Sequence, residues 1–306
     1  MKALKRLISL CGMGVFVSTV VNAQVGGHYP AGVEGIKAAS LPPPGLYFRD
    51  YNVFYTADRL RNGLPMGDSF EVNVYSQVPR VIYMTDYKIL GAYYGFDVLV
   101  PFTYTDFKAP GYKNSTFGLS DIMVEPLLLS WNFKQLDLSF GYAFWAPTGE
   151  FDPAHPEKPG SGFWSHMLTL GGTYYFDSEK TIALSVLNRY EFHHEQRYTG
   201  IEPGQTWTVE WGLSKSITKT IDVGVVGYFH YQVTDDDISS TDLTTYRLAH
   251  PFYDPDINDR VIGIGPEVSV VWPKIGLITS LRYHYEFGAN DRPEGHNVVL
   301  TFTKRF

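Results

Sequence analysis

The feature that most constrains this chain is a two-residue alternation sustained over long runs. From Leu136 to Phe144, Leu136, Leu138, Phe140, Tyr142 and Phe144 alternate with Asp137, Ser139, Gly141 and Ala143. Successive side chains of a strand point to opposite faces, so such a run is a ribbon with one greasy side and one small or polar side. Ile221 to Val233 and Leu277 to Phe287 repeat the scheme, and the last run closes on Phe306. The pattern predicts strands over 46–59, 70–85, 89–105, 117–132, 136–147, 164–176, 181–196, 206–217, 220–234, 259–272, 277–288 and 295–306. Their connections alternate between short turns, such as Asp86-Tyr87-Lys88 and Thr218-Lys219, and longer segments over 60–69, 106–116, 148–163, 197–205, 235–258 and 289–294. Short turns on one side and longer loops on the other are the outer-membrane barrel pattern.

A soluble sandwich or barrel alternates too, with its apolar face inward, and the period alone does not say which face points out. Three features choose lipid. The runs are long compared with soluble strands, whose mode is about 5–6 residues. Aromatics, which include 22 Tyr and 20 Phe, gather near run ends at Tyr47, Trp131, Phe144, Trp145, Trp164, Tyr174, Tyr175, Phe176, Trp207, Tyr231, Trp272 and Tyr285, as in two interfacial girdles. The chain also ends in an aromatic at the close of an amphipathic strand. The expected fold is therefore all-β: a transmembrane antiparallel up-and-down β-barrel of about twelve strands. Unpaired backbone groups are costly in lipid, so the first and last strands should pair. Pro79, Pro101, Pro126 and Pro266 lie within runs and predict bulges or local gaps.

Residues 1–23 read as a signal peptide. Lys2, Lys5 and Arg6 precede an apolar stretch, and Val21-Asn22-Ala23 is a small-residue cleavage site. Residues 24–45 are Gly- and Pro-rich without a period, either a flexible lead-in or a segment folded into the barrel mouth. The barrel then spans 46–306. Export removes Cys11, the one cysteine, which excludes a disulfide scaffold and a thiolate metal site. The net charge of −7 becomes more negative once the basic leader is gone, so no electrostatic footprint for nucleic acid exists.

Several segments carry a family resemblance. They are His28-Tyr29-Pro30-Ala31-Gly32 with Pro42-Pro43-Pro44-Gly45, Gly118-Leu119-Ser120-Asp121-Ile122 with Glu125-Pro126, and Ala146-Pro147-Thr148-Gly149-Glu150-Phe151-Asp152. Gly227-Tyr228 with Gln232-Val233-Thr234-Asp235-Asp236, and Gly263-Ile264-Gly265-Pro266-Glu267, complete the set. Together they resemble the family named for the meta-pathway of phenol degradation, over nearly all of the mature chain. The resemblance implies an outer-membrane channel or transporter linked to aromatic-compound catabolism, without a defined substrate.

The face opposite the apolar side gives the candidate lumen residues: Asp97, Asp121, Glu125, Asp137, Arg189, Glu191, Glu210, Asp222, Tyr228, His230, Glu267, Arg282, His284 and Glu286. They either set selectivity, as polar residues do in pores, or stiffen the wall as an ion-pair network. His193 and His194 resemble metal ligands but face opposite sides of a strand. Asp254, Asp256, Asn258 and Asp259 lack the glycine and the terminal Glu of a calcium loop. His166 falls on the lipid-side phase with no motif tying it to a nucleophile, so neither an enzyme, a metal site nor a cofactor is expected. The expected partners are a small hydrophobic or aromatic solute, outer-membrane lipid and lipopolysaccharide, and the barrel-assembly machinery through Phe306. The rival readings are a structural or adhesive barrel acting through its outer loops and, behind it, an outer-membrane lipid hydrolase.

Overall fold

The computed structural model describes residues 26–61, 70–250 and 253–306. The predicted signal peptide and most of the predicted 60–69 loop lie outside them. The described residues form a closed antiparallel barrel of twelve strands. In chain order these are β1 (Gly45–Arg61), β2 (Glu71–Ile89), β3 (Ala92–Leu99 and Phe102–Ala109), β4 (Tyr112–Leu119 and Ile122–Asn132), β5 (Leu136–Ala146) and β6 (Ser165–Tyr175). Next come β7 (Ile182–His193), β8 (Thr206–Ser216), β9 (Ile221–Gln232), β10 (Arg260–Trp272), β11 (Leu277–Asn290) and β12 (Arg292–Arg305). β1 pairs with β12 from Tyr47↔Arg305 to Arg61↔Arg292, and the Phe306 N–H donates to the Leu46 carbonyl at 3.0 Å. The wall therefore has no seam at the chain ends, as lipid demands.

Two predicted long connections are hairpins instead. Residues 106–116 fold as strand, with Pro110-Gly111 as the turn, and Gly111 holds the positive φ of 75° that follows proline in a type II turn. The 289–294 segment is also mostly strand, turning at Asp291. The β2–β3 turn sits at Leu90-Gly91 rather than 86–88, because a register shift between Met84 and Lys88 lengthens β2. The prolines mark irregularities as their missing N–H requires. Pro101 lies in the break of β3, Pro126 lies in the bulge between Val124 and Leu127, and Pro266 falls where the β10–β11 ladder skips from Ile264 to Glu267.

Strand phase puts apolar side chains outward around most of the circumference. Leu184, Leu213, Val225, Phe229, Val268 and Leu281 are exposed to the lipid side. Trp164, Tyr174, Phe176, Trp207, Tyr231, Trp272 and Tyr285 are exposed as girdle residues, whereas Tyr47, Trp145 and Tyr175 point inward and are buried.

The β1–β2 sector keeps exposed Leu46, Phe48, Phe54 and Val81 on the outward phase but departs from the scheme in two ways. Val53, Val72, Ile82 and Met84 are buried on the inside. Asp50, Asn52 and Gln77 take the opposite phase and bond to one another, with Asn52 Nδ2 and Gln77 Nε2 donating to Asp50 Oδ2 at 3.1 and 3.2 Å. The neighbouring wall is also discontinuous. β3 breaks at 100–101 and β4 at 120–121, and the outer half of β4 pairs only with β3. Its other edge is met by the 147–163 loop through side chains: Tyr112 Oη and Asn114 Nδ2 each donate to the buried Glu157 at 2.7 Å, and Ser120 Oγ donates to the Pro159 carbonyl.

Candidate functional site

Residues 26–44 form no strand, so their backbone groups need other partners. They lie inside the barrel, and the wall's carboxylates supply those partners. The Tyr29 N–H reaches both oxygens of Glu191 at 3.1 and 3.2 Å. Glu210 is the hub. Its Oε1 accepts from the N–H groups of Gly32 and Glu34 at 2.9 and 3.0 Å, and its Oε2 accepts from Tyr29 Oη at 2.7 Å and from Arg189 at 2.5 Å. Arg189 also lies over the Tyr29 ring, 4.1 Å from its centroid. Further in, Glu267 accepts the Ile36 N–H at 2.8 Å, Lys37 pairs with Asp222 at 2.7 Å, and Ser40 donates to Asp137 at 2.8 Å. Arg282 donates to the Val33 carbonyl and pairs with Glu267 at 3.2 Å. Gly35 makes the closest approach, where a Cβ would press on Glu267 Oε2 and on Arg282 Nε.

The predicted lumen residues all face inward. Asp97 and Glu125 hold Arg80, which reaches them at 2.6 and 2.8 Å. Asp121 accepts backbone N–H groups from Gly149 and Ser161 and pairs with His28. Tyr228 donates to Glu286 at 2.6 Å, and the same carboxylate accepts from Tyr55. His284 packs edge-on against the Tyr228 ring, and His230 bonds Thr208 at 2.8 Å. Thus Asp97, Glu125, Arg189, Glu191, Glu210, Asp222, Glu267 and Arg282 gather around the middle of the 26–44 segment, while Asp121 and Asp137 meet it at His28 and Ser40. Tyr228, His284 and Glu286 form a separate group, Asp137 lies with Ser40 and Tyr175, and His230 with Asp259.

Sequence reasoning missed the segment's own side chains and the basic residues of the first two strands. Arg49 and Arg80 sit on the inward phase of β1 and β2, whose other inward residues are mostly apolar, so the alternation did not flag that face as luminal. A lone Arg among inward Val and Ile was the available signal.

Two cavities lie on either side of Glu34. One, of about 340 Å³, is lined by Tyr51, Val53, Val78, Leu99, Met123, Trp145 and Met167, together with the start of the segment. The other, of about 320 Å³, is lined by Ile36, Lys37, Arg49, Asp222 and Arg282 among others. Glu34, Arg80, Glu125 and Arg189 border both, and so form the partition between them.

A polar chain of a different kind lies above the first cavity. His28 Nε2 is 2.9 Å from Asp121, His28 Nδ1 is 2.6 Å from Ser165 Oγ, and Ser165 Oγ is 2.6 Å from His193 Nδ1. On the lipid side, His166 bonds Tyr142 and His194 rather than a nucleophile. Among the described residues, no group of three or more His, Cys, Asp or Glu could hold a metal ion. His193 is buried while His194 is exposed, as their opposite phases require.

Comparison with known proteins agrees with this geometry. The COG4313 outer membrane channel from Pseudomonas putida is similar over 90% of this chain and 100% of its own, with a TM-score of 0.75 at 12% identity. The β domain of the Bordetella autotransporter BrkA is similar over 87% of this chain and 100% of its own, with a TM-score of 0.50 at 11% identity. No curated protein sequence matches. At such identities the solved structures speak for the fold, a barrel of the bacterial outer membrane. The family model described as MetA-pathway of phenol degradation matches residues 51–302, most of the chain, and this outer-membrane barrel belongs to that family.

Proposed function

We propose that the protein passes small hydrophobic or aromatic solutes across the outer membrane, with residues 26–44 as the gate and the inward polar residues as the source of selectivity. The observation that carries this reading is the 340 Å³ cavity, whose apolar wall ends at a charged partition contributed partly by the segment. An apolar cavity with a few placed polar groups is the usual form of a small-molecule site. The family and the similar outer membrane channel support the same reading.

Planar-bilayer conductance and liposome uptake with the purified protein test it. Low ion conductance with measurable uptake of an aromatic solute is the expected outcome. A barrel passing neither ions nor aromatic solutes rejects transport. Deleting 235–258 addresses the adhesive alternative: lost surface binding with unchanged permeability would favour it.

Ser165, His28 and Asp121 favour a hydrolase enough to assay one. Against it, Ser165 is fully buried, its hydroxyl is shared by two imidazoles, and the N–H groups of Gly149 and Ser161 are already engaged by Asp121. A catalytic serine needs a reachable carbonyl and oxyanion donors. Phospholipid hydrolysis above the level of Ser165→Ala would overturn the non-enzymatic reading.

A further inference from the structure

The partition between the two cavities is asymmetric in its ion pairing. Arg80 has Asp97 and Glu125, Arg189 has Glu210, and Arg282 has Glu267, all carried by wall strands. Arg49 differs. Among the described residues, the carboxylate within ion-pair distance of Arg49 is Glu34, at 3.2 Å, and Glu34 belongs to the tethered segment. Arg49 also donates to Thr303 Oγ1 at 3.0 Å and to Tyr51 Oη at 3.3 Å. Tyr51 Oη donates to Glu34 at 2.6 Å, and Arg80 Nη1 stands 3.8 Å from the same oxygen. The wall therefore supplies a carboxylate receptor of two guanidiniums and a phenol, and the segment fills it.

Directly above this receptor the cavity wall is apolar, with Val53, Val78, Leu99, Met123 and Trp145. A guanidinium is a directional partner for a carboxylate, and a buried one left unpaired is strongly unfavourable. A neutral solute that moved Glu34 aside would strand Arg49. A solute with its own carboxylate would not.

We propose that Glu34 stands in for the solute, and that the solute class is an apolar, above all aromatic, monocarboxylate. The ring lies against Val53, Val78 and Trp145, while the carboxylate replaces Glu34 on Arg49, Tyr51 and Arg80 and so releases the segment. This rests on the transport reading and narrows its substrate.

The test uses the full mature chain in detergent, with benzoate and the neutral benzyl alcohol as calorimetric probes. Glu34→Gln removes the competing charge, and benzoate affinity is expected to rise about tenfold or more, the scale of one charge-assisted hydrogen bond, with benzyl alcohol unchanged. A gain in affinity cannot come from misfolding. The double variant Glu34→Gln/Arg49→Gln, which leaves neither charge unpaired, is expected to lose the gain.

Unchanged benzoate affinity in Glu34→Gln, an equal gain for benzyl alcohol, or a gain that survives Arg49→Gln would overturn the proposal. Liposome flux is read separately. Benzyl alcohol crossing without a benzoate preference refutes the carboxylate class and leaves transport standing. Benzoate binding that follows the expected pattern with no flux of either solute refutes transport and leaves the site.

Discussion

Two sides of the same barrel expose apolar residues to lipid but line the interior differently. Across β7–β12 the inward face carries Glu191, Glu210, Asp222, Glu267 and Arg282, and the outward face is apolar. Across β1–β4 the inward face sets Val53, Val72, Ile82, Leu99 and Met123 with Tyr47 and Tyr51 around Arg49, Arg80, Asp97 and Glu125, a polar patch appears on the outward phase of β1–β2, and β3 and β4 are interrupted. The first side holds the 26–44 segment by its backbone. The second side lines the apolar cavity. One wall grips and the other leaves room, so the lumen is divided lengthwise into a holder and a passage.

The sharpest way to break this comparison is at the holder. Glu210→Ala leaves Arg189 buried without its carboxylate and strips the acceptor from two segment N–H groups, a loss of about 3–5 kcal/mol to the docked state. Bilayer conductance is expected to rise steeply, and the segment should become open to protease. Unchanged conductance would mean that the segment is not held by that wall.

At the passage, Val78→Trp fills the cavity without touching the segment's polar partners. Aromatic uptake into liposomes is expected to fall by about tenfold, the effect of ~1.4 kcal/mol on a barrel-crossing barrier, while the segment stays protease-resistant. Uptake at the original rate would move the path elsewhere.

The smallest effect is expected at the outer rim above the holder. Burial, and then the charges of Asp259, Asp236 and Asp254, push the Asp291 carboxyl up to about 6. The folded rim therefore binds this proton more tightly than the unfolded chain does. Its stabilising contribution is complete below the ordinary aspartate range and is lost as pH rises through about 6. Hydrogen-exchange protection around the β11–β12 turn should decline over that window in the native protein. Asp291→Asn should flatten the decline.

The strands were legible because a period of two repeats over many residues. The predicted run 136–147 ends one residue from the observed Ala146, and 206–217 ends one residue from Ser216. The hairpins at Pro110-Gly111 and Asp291 were less so, because Asp106, Lys108 and Lys113 near the first, and Asp291 and Arg292 at the second, made strand ends look like loops. The candidate carboxylates were found by phase, and Glu191, Glu210 and Glu267 are indeed turned inward. What they hold could not be read. Glu210 meets Glu34 across 176 residues of sequence, and the segment itself has no period to announce its position. Arg49 and Arg80 escaped because both faces of their strands are largely apolar or aromatic, so phase did not single out the inward one.

The tether has a direction. The 26–44 segment joins β1 at Gly45, on the side where the short turns and Phe306 lie, whereas His28 reaches Asp121 and Ser165 near the long loops. A cord fixed at its inner end can be withdrawn through that end without threading the rest of the lumen. Residues 26–44 drawn out fully would span about 60 Å at the extended rise per residue. If the segment is released as proposed, withdrawal in that direction would present peptide to the periplasm.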